Sequence, residues 1–403
     1  MRIGVAGPID LRILASRLPS IDVGRGYPFP YTAHLVGCLL DRGHEISVFA
    51  LDPESSATRI VTHGPLTAHI VPMRPRARDR AKDFFRAERK LLASEMSRSQ
   101  VDVVHAHWTY EFALAAAASN RPNVVTTHDW APTVLRHHRD PYRLVRLGMQ
   151  VSAISRAQVL TAVSPYIAGK VQRYYKRQPH VVPNAVPQPM MAPPSARCGG
   201  GPTIVGAVSA SFDRLKNTRA LIAAFASARS SLPDGSRLRL VGPPFGPGGP
   251  ANEWARSRGL DGSVDFIGEV RPADMVETLD SFDVLVHPAL EEAFCMAVLE
   301  AMARGLPVIG GRSSGAVPWL LAEGECGMLV DVMYSDEISR AILDLAWDPP
   351  RRFALGALAR ERALGSFSMD TTIGAYERCY QLASRRSVPP GARRGSRRAI
   401  TSE

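Results

Sequence analysis

A chain of 403 residues, 45 % hydrophobic and with a formal net charge of +11, is long enough for two or three packed cores. Its longest uninterrupted apolar run is about 112–118, well short of the roughly 18 residues a membrane-crossing helix needs, so a spanning segment is excluded. Five scattered cysteines, Cys38, Cys198, Cys295, Cys326 and Cys379, lack C-x-x-C spacing, which argues against a disulfide framework or a zinc site and fits a reducing cytoplasm.

The positive charge is clustered. Residues 74–98 hold nine basic and four acidic side chains, 136–146 four and one, and 385–403 six and one. Such clusters fit an anionic surface or ligand. No nucleic-acid recognition motif accompanies them and aromatics make up only 7 %, so nucleic acid is not expected as a partner. An anionic membrane surface remains a candidate.

In chain order, Arg2-Ile-Gly-Val-Ala-Gly7 reads as a strand ending in a glycine turn, without the features of a secretory signal, so the fold is expected to begin there. Gly24-Arg-Gly26 makes a glycine-rich loop, and a helix over about 31–42 ends at Gly43. Strands follow at 45–50, 101–105, 124–127 and 159–163. The segment 183–194 is too rich in proline for either element and reads as a linker. A second series of strands covers 203–208, 237–241, 264–267, 284–286, 307–309 and 328–330. A last helical stretch, 370–383, precedes a basic tail with the composition of a disordered segment. Strands alternating with helices predict two doubly wound parallel-sheet domains, with ligand expected in a cleft between the carboxyl ends of their strands. Neither glycine-rich loop, at 24–26 or 242–249, continues as G-x-G-x-x-G into a helix, so a nicotinamide cofactor is disfavoured. The expected division is 1–185, 186–366, a helix 367–384 returning to the first domain, and a disordered tail 385–403.

The most informative segment is Glu292-Ala-Phe-Cys-Met-Ala-Val-Leu-Glu300. It follows strand 284–286, with Glu292 in a strand-to-helix loop and Glu300 about a turn inside a helix beginning near Met296. Helix N-termini offer unpaired N–H groups and partial positive charge, a seat for a diphosphate. Acids on either side could then grip the hydroxyls of attached sugars.

This segment resembles the E-x7-E region of the retaining, nucleotide-sugar-dependent glycosyltransferases of family 4, glycosyl transferases group 1, which have the two-domain GT-B fold. The resemblance extends through Asp41-Arg-Gly-His44, His105-Ala-His107, Thr127-His128-Asp129, Ala162-Val-Ser164, Val182-Pro-Asn184, Lys216-Asn217, Val241-Gly242, Phe266-Ile-Gly268 and Glu323-Gly-Glu-Cys-Gly327. It implies that Glu300 holds the nucleotide ribose, Glu292 approaches the transferred sugar, and the amides of Phe294, Cys295 and Met296 face the diphosphate. Lys216 is the matching diphosphate cation, beside Asn217. His128 faces the transferred sugar, and Gly24 and Gly26 approach the diphosphate where a side chain would not fit. His105 and His107 are open between packing and acceptor contact. The basic segments 74–98 and 136–146 fall on the acceptor side.

The sequence departs from the family pattern in several places. Serines replace the usual arginine after the strand at 203–208, leaving Arg214 as a candidate substitute. Ala293, Cys295 and Ala297 replace two glycines and a proline, Ala185 replaces the glycine of N-G, and Trp319 replaces an acid. No D-x-D triplet occurs, so a metal-independent mechanism without cofactor is expected. No activating base stands near Cys295 in sequence, so it is not read as a nucleophile. The resemblance therefore implies a cytoplasmic enzyme, or one peripheral at the inner membrane face, moving a hexose-type sugar from a nucleoside diphosphate donor with retention. The acceptor would be a carbohydrate, lipid-linked or small-molecule compound. A GT-B-shaped nucleotide-sugar isomerase and a catalytically silent sugar-nucleotide binder are the alternatives.

Overall fold

The computed structural model describes residues 1–18, 26–27, 29–194 and 201–386. Val, Ile and Ala runs buried on both faces form parallel strands, the arrangement expected when helices cover both sides of a sheet. In the first unit these are β1 (Arg2–Ala6), β2 (Glu45–Asp52), β3 (Arg59–His63), β4 (Leu66–Pro72), β5 (Val103–His107), β6 (Asn123–Thr127), β7 (Val159–Ala162) and β8 (His180–Val181). Their order is β3-β4-β2-β1-β5-β6-β7-β8, parallel except for the β3–β4 pair. The sequence reading missed β3, β4 and β8. Four of the five β3 residues are exposed, so the strand lacks a buried face to mark it, and β8 has only two residues.

The second unit holds β9 (Ile204–Val208), β10 (Arg237–Val241), β11 (Val264–Gly268), β12 (Val284–His287), β13 (Val308–Gly311) and β14 (Met328–Val330). All are parallel, in the order β11-β10-β9-β12-β13-β14. Val205, Ala207, Leu238, Leu240, Val284 and Val286 bury the sheet under Leu221, Phe225, Ile342 and Leu345 of the covering helices. The direction of winding reverses between β9 and β12. In such sheets the loops leaving the carboxyl ends of the strands at the reversal form the ligand crevice, and here these are the loops after Val208 and His287.

The first unit comprises Met1–Val163, Ile167–Val182 and the chain from Thr372, and the second Ser164–Tyr166 and Pro183–Thr371. The proline-rich linker packs on the second unit. Val186 N–H donates to Phe367 O, and the Arg304 guanidinium, paired with Asp280 at 2.6 Å, also donates to the carbonyls of Ala192 and Pro193. In the helix Met369–Arg386, Tyr376 and Tyr380 pack on His105. The tail from 387 lies outside the described residues.

Candidate functional site

β12 ends at His287, where Pro288 cannot donate to the ladder, and residues 288–295 then cross to the helix Met296–Ala303. Side chains and amides from distant segments fasten this crossing. Leu290 N–H donates to Leu215 O (2.8 Å), Ser314 Oγ to Ala289 O (2.5 Å), Ala316 N–H to Glu292 O (3.0 Å) and Ser164 Oγ to Ala293 O (2.6 Å). The Tyr166 hydroxyl donates to Glu291. Gly315 makes the closest approach: at φ +66°, a Cβ there would lie 2.2 Å from Glu292 O. Gly315→Ala is expected to cost roughly 1–3 kcal/mol for the left-handed backbone alone and to displace Glu292. A lowered thermal midpoint with a larger loss of donor affinity, measured on the same preparation, checks this.

The fastened loop brings five predicted residues together, Lys216, Glu292, Phe294, Cys295 and Met296. Lys216 Nζ donates to Glu292 Oε1 at 2.6 Å, and His287 Nε2 lies 3.0 Å from the same oxygen. Burial alone would raise the Glu292 pKa, but His287 and Lys216 outweigh it and hold the carboxyl at about 2. Burial would lower the Lys216 pKa, yet the Glu292 charge raises it, so the pair is ionised at neutral pH. Beside it, the amides of Phe294, Cys295 and Met296 donate no hydrogen bond among the described residues. These are the unpaired donors of a helix start.

Glu300 differs from Glu292. Its half-buried carboxyl has no hydrogen-bond or ion-pair partner among the described residues, and burial pushes its pKa up to about 7. An unpartnered buried carboxylate costs stability, which a ligand offering two hydroxyl donors would offset.

Cys295 stands in the left-handed region, with φ +88°. The expectation that no base stands near it is corrected: His287 Nε2 lies 3.4 Å from its Sγ. Burial opposes protonation of His287, but Cys295 and Glu292 outweigh it and raise the pKa to about 10. Arg214 is exposed, with no side-chain partner among the described residues. Asn217, at φ +52°, donates its amide to Pro288 O (3.2 Å) and Val332 O (2.8 Å), which places it as a brace of the loop.

In the first unit, His128 follows β6. Its ring stacks on Trp108 with centroids 4.3 Å apart, and its Nε2 lies 2.9 Å from His107 Nδ1. Burial, then the neighbouring His107, hold it neutral with a pKa well below the usual value. His105 is fully buried between Tyr380 Oη (2.8 Å) and Thr126 Oγ1 (2.7 Å), and His107 is fully buried too, so both serve packing and support. Gly26 has φ +63°, and a Cβ there would meet Ile9 O at 2.6 Å; Gly24 lies outside the described residues. Much of the basic charge is spent internally. Arg74 pairs with Asp83 and Glu88, Lys82 with Asp79, Arg143 with Asp140 and Arg146 with Glu111.

The sequence reading did not single out His287, Tyr166 or Gly315. A histidine five positions before Glu292 at a strand end was a usable signal. The Tyr166 contact with Glu291, 125 positions away, left none.

Two parallel-sheet units with this arrangement define a GT-B protein. Residues 30–188 match the model described as Glycosyltransferase Family 4, and residues 200–362 match Glycosyl transferases group 1. The chain belongs to this glycosyltransferase family. It is 31 % identical over 193 residues to a D-inositol 3-phosphate glycosyltransferase of Corynebacterium kroppenstedtii, covering 47 % of this chain and 42 % of that protein. With the protein of the same name from Stackebrandtia nassauensis it is 26 % identical over 393 residues, 89 % of this chain and 88 % of the other. The matched part thus spans less than half of the first relative and most of the second. Among solved structures, a sucrose-phosphate synthase from Thermosynechococcus elongatus superposes with a TM-score of 0.75 at 18 % identity, over 96 % of this chain and 100 % of that one. No described helix is long and apolar enough to cross a membrane.

Proposed function

We propose that the chain transfers a sugar from a nucleoside diphosphate sugar to an acceptor hydroxyl, with retention as the family resemblance implies and without a metal. The observation that carries this is the ionised Lys216–Glu292 pair beside three unpaired amides at the start of the helix Met296–Ala303. When the bond between the sugar and the diphosphate breaks, the electron pair stays on the leaving oxygen. Lys216 and the amides are fixed where they can stabilise that growing charge. Glu292 would accept from hydroxyls of the transferred sugar, and Glu300 from the ribose. The acceptor oxygen bonds to the anomeric carbon as the diphosphate departs with the electron pair, and the acceptor proton passes to the departing diphosphate oxygen.

For the acceptor we favour a small polyol carrying phosphate. A cavity of about 170 Å³ beside Asp129 is lined by Tyr110, Tyr142, Arg143 and Arg146, and the relatives named above are glycosyltransferases of D-inositol 3-phosphate. Polysaccharide or lipid-linked acceptors are outcomes of the same test; recruitment to an anionic inner membrane face, which exposed Arg76, Arg78, Arg86 and Arg139 would favour, is read by co-sedimentation with anionic against neutral vesicles at low salt, equal partitioning rejecting it.

The test is a panel of nucleoside diphosphate sugars, each with and without phosphorylated polyols, free sugars and lipid-linked acceptors, read by nucleoside diphosphate release and product mass. Release that depends on one acceptor supports the reading. Donor conversion without acceptor would identify an isomerase, and binding without turnover a silent binder.

A further inference from the structure

Around the start of the helix Met296–Ala303, three side chains present one sulfur, one nitrogen and one oxygen. Cys295 Sγ lies 3.4 Å from His287 Nε2, which lies 3.0 Å from Glu292 Oε1. One ligand atom from each lies within 4.8 Å of the other two. Tetrahedral zinc, with bonds of about 2.0–2.3 Å, places neighbouring ligand atoms roughly 3.3–3.6 Å apart. The sulfur–nitrogen separation of 3.4 Å matches that spacing, the nitrogen–oxygen separation of 3.0 Å is a few tenths short of it, and the sulfur lies within 4.8 Å of the oxygen, so small side-chain shifts would complete the set.

The two softer ligands are also held in place. His287 closes β12 and is 5 % exposed, while Cys295 is 8 % exposed in a left-handed turn. Thiolate and imidazole select zinc and its neighbours, whereas magnesium and calcium prefer oxygen ligands. Three protein ligands leave a fourth position open. The competing cation is Lys216, whose ammonium lies 2.6 Å from Glu292.

We propose that His287, Glu292 and Cys295 form an inhibitory site for a thiophilic divalent cation such as zinc, whose binding displaces Lys216 from Glu292 and removes both from donor use. The metal site stands on its own geometry; its inhibitory consequence rests on the function proposed above.

The test titrates cobalt(II), a spectroscopic stand-in for zinc, into the full chain without donor. Expected are one equivalent bound with a thiolate-to-cobalt charge-transfer band and the d–d bands of four-coordination, displacement by zinc, and no displacement by magnesium. Cys295→Ser should abolish the charge-transfer band, and His287→Gln should weaken binding at least about tenfold. No band, or an unchanged band in Cys295→Ser, overturns the site. Should that variant fail to fold, unchanged affinity in His287→Gln overturns it equally. In the second arm, zinc lowers donor turnover in the wild type, and Cys295→Ser needs at least about tenfold more zinc for the same fractional loss. Zinc-insensitive turnover with the band intact overturns the inhibition. A protein with the band but no donor turnover upholds the metal site and overturns the functional reading.

Discussion

Replacing Lys216 with alanine is expected to lower kcat/KM for the sugar donor by about 10²–10³-fold, the loss typical of removing one preorganised donor to a developing anion. Most of the loss should fall on kcat, because charge on the leaving diphosphate grows toward the transition state. The variant also strips Glu292 of its 2.6 Å partner while His287, at 3.0 Å, remains. Glu292 therefore stays hydrogen-bonded, and the fold should persist with a modest drop in thermal midpoint. Steady-state kinetics alongside circular dichroism measure both effects. Activity within about threefold of the wild type would remove Lys216 from the chemistry.

For Glu300 the largest expected effect is on pH dependence. Its carboxyl has a pKa of about 7 because burial disfavours the charge and no partner offsets it. The ionised form accepts from hydroxyls with charge-assisted strength on both oxygens, so donor KM should fall as pH rises through about 7, by up to about tenfold per unit below it. Glu300→Gln should flatten that profile and weaken donor binding throughout. Stability runs the other way. With a folded pKa above the ordinary value of 4.5, the empty protein holds more protons than the unfolded chain between about 4.5 and 7, so stability falls as pH rises through that window. Glu300→Gln should then raise the thermal midpoint of the ligand-free protein at pH 8 or so, by the equivalent of roughly 1–3 kcal/mol. A variant less stable than the wild type there would contradict the account of Glu300 as an unpaired buried acid.

The strands of both sheets were legible in sequence where apolar runs were buried on both faces, as in β1, β6, β9 and β12. The exposed hairpin strand β3 was not, because four of its five residues meet solvent. At the site, the helix start near Met296 and its two acids could be read from the strand-to-helix pattern. The unequal electrostatics of those acids could not. Glu292 is ionised because Lys216, 76 positions away, folds onto it, whereas Glu300 lies in the same segment with no such partner. Cys295 shows a further limit. Nothing in its replacement of a glycine announced a residue at φ +88°, in a loop fastened just upstream by Leu215 O, Ser314 Oγ and Ala316 N–H from distant segments. Charge runs in the sequence also did not show which cations are already paired: Arg74, Lys82, Arg143 and Arg146 each meet a nearby acid, while Arg76, Arg78, Arg86 and Arg139 are exposed.

The most direct test of the donor site is a calorimetric titration of free nucleoside diphosphate into the wild type, Lys216→Ala and Glu300→Gln at a pH of about 8, where Glu300 is ionised. The account predicts binding to the wild type and at least about tenfold weaker binding to each variant, Lys216→Ala losing the diphosphate contact and Glu300→Gln the ribose contact. Equal affinity across the three proteins would show that the nucleotide does not sit at this helix start.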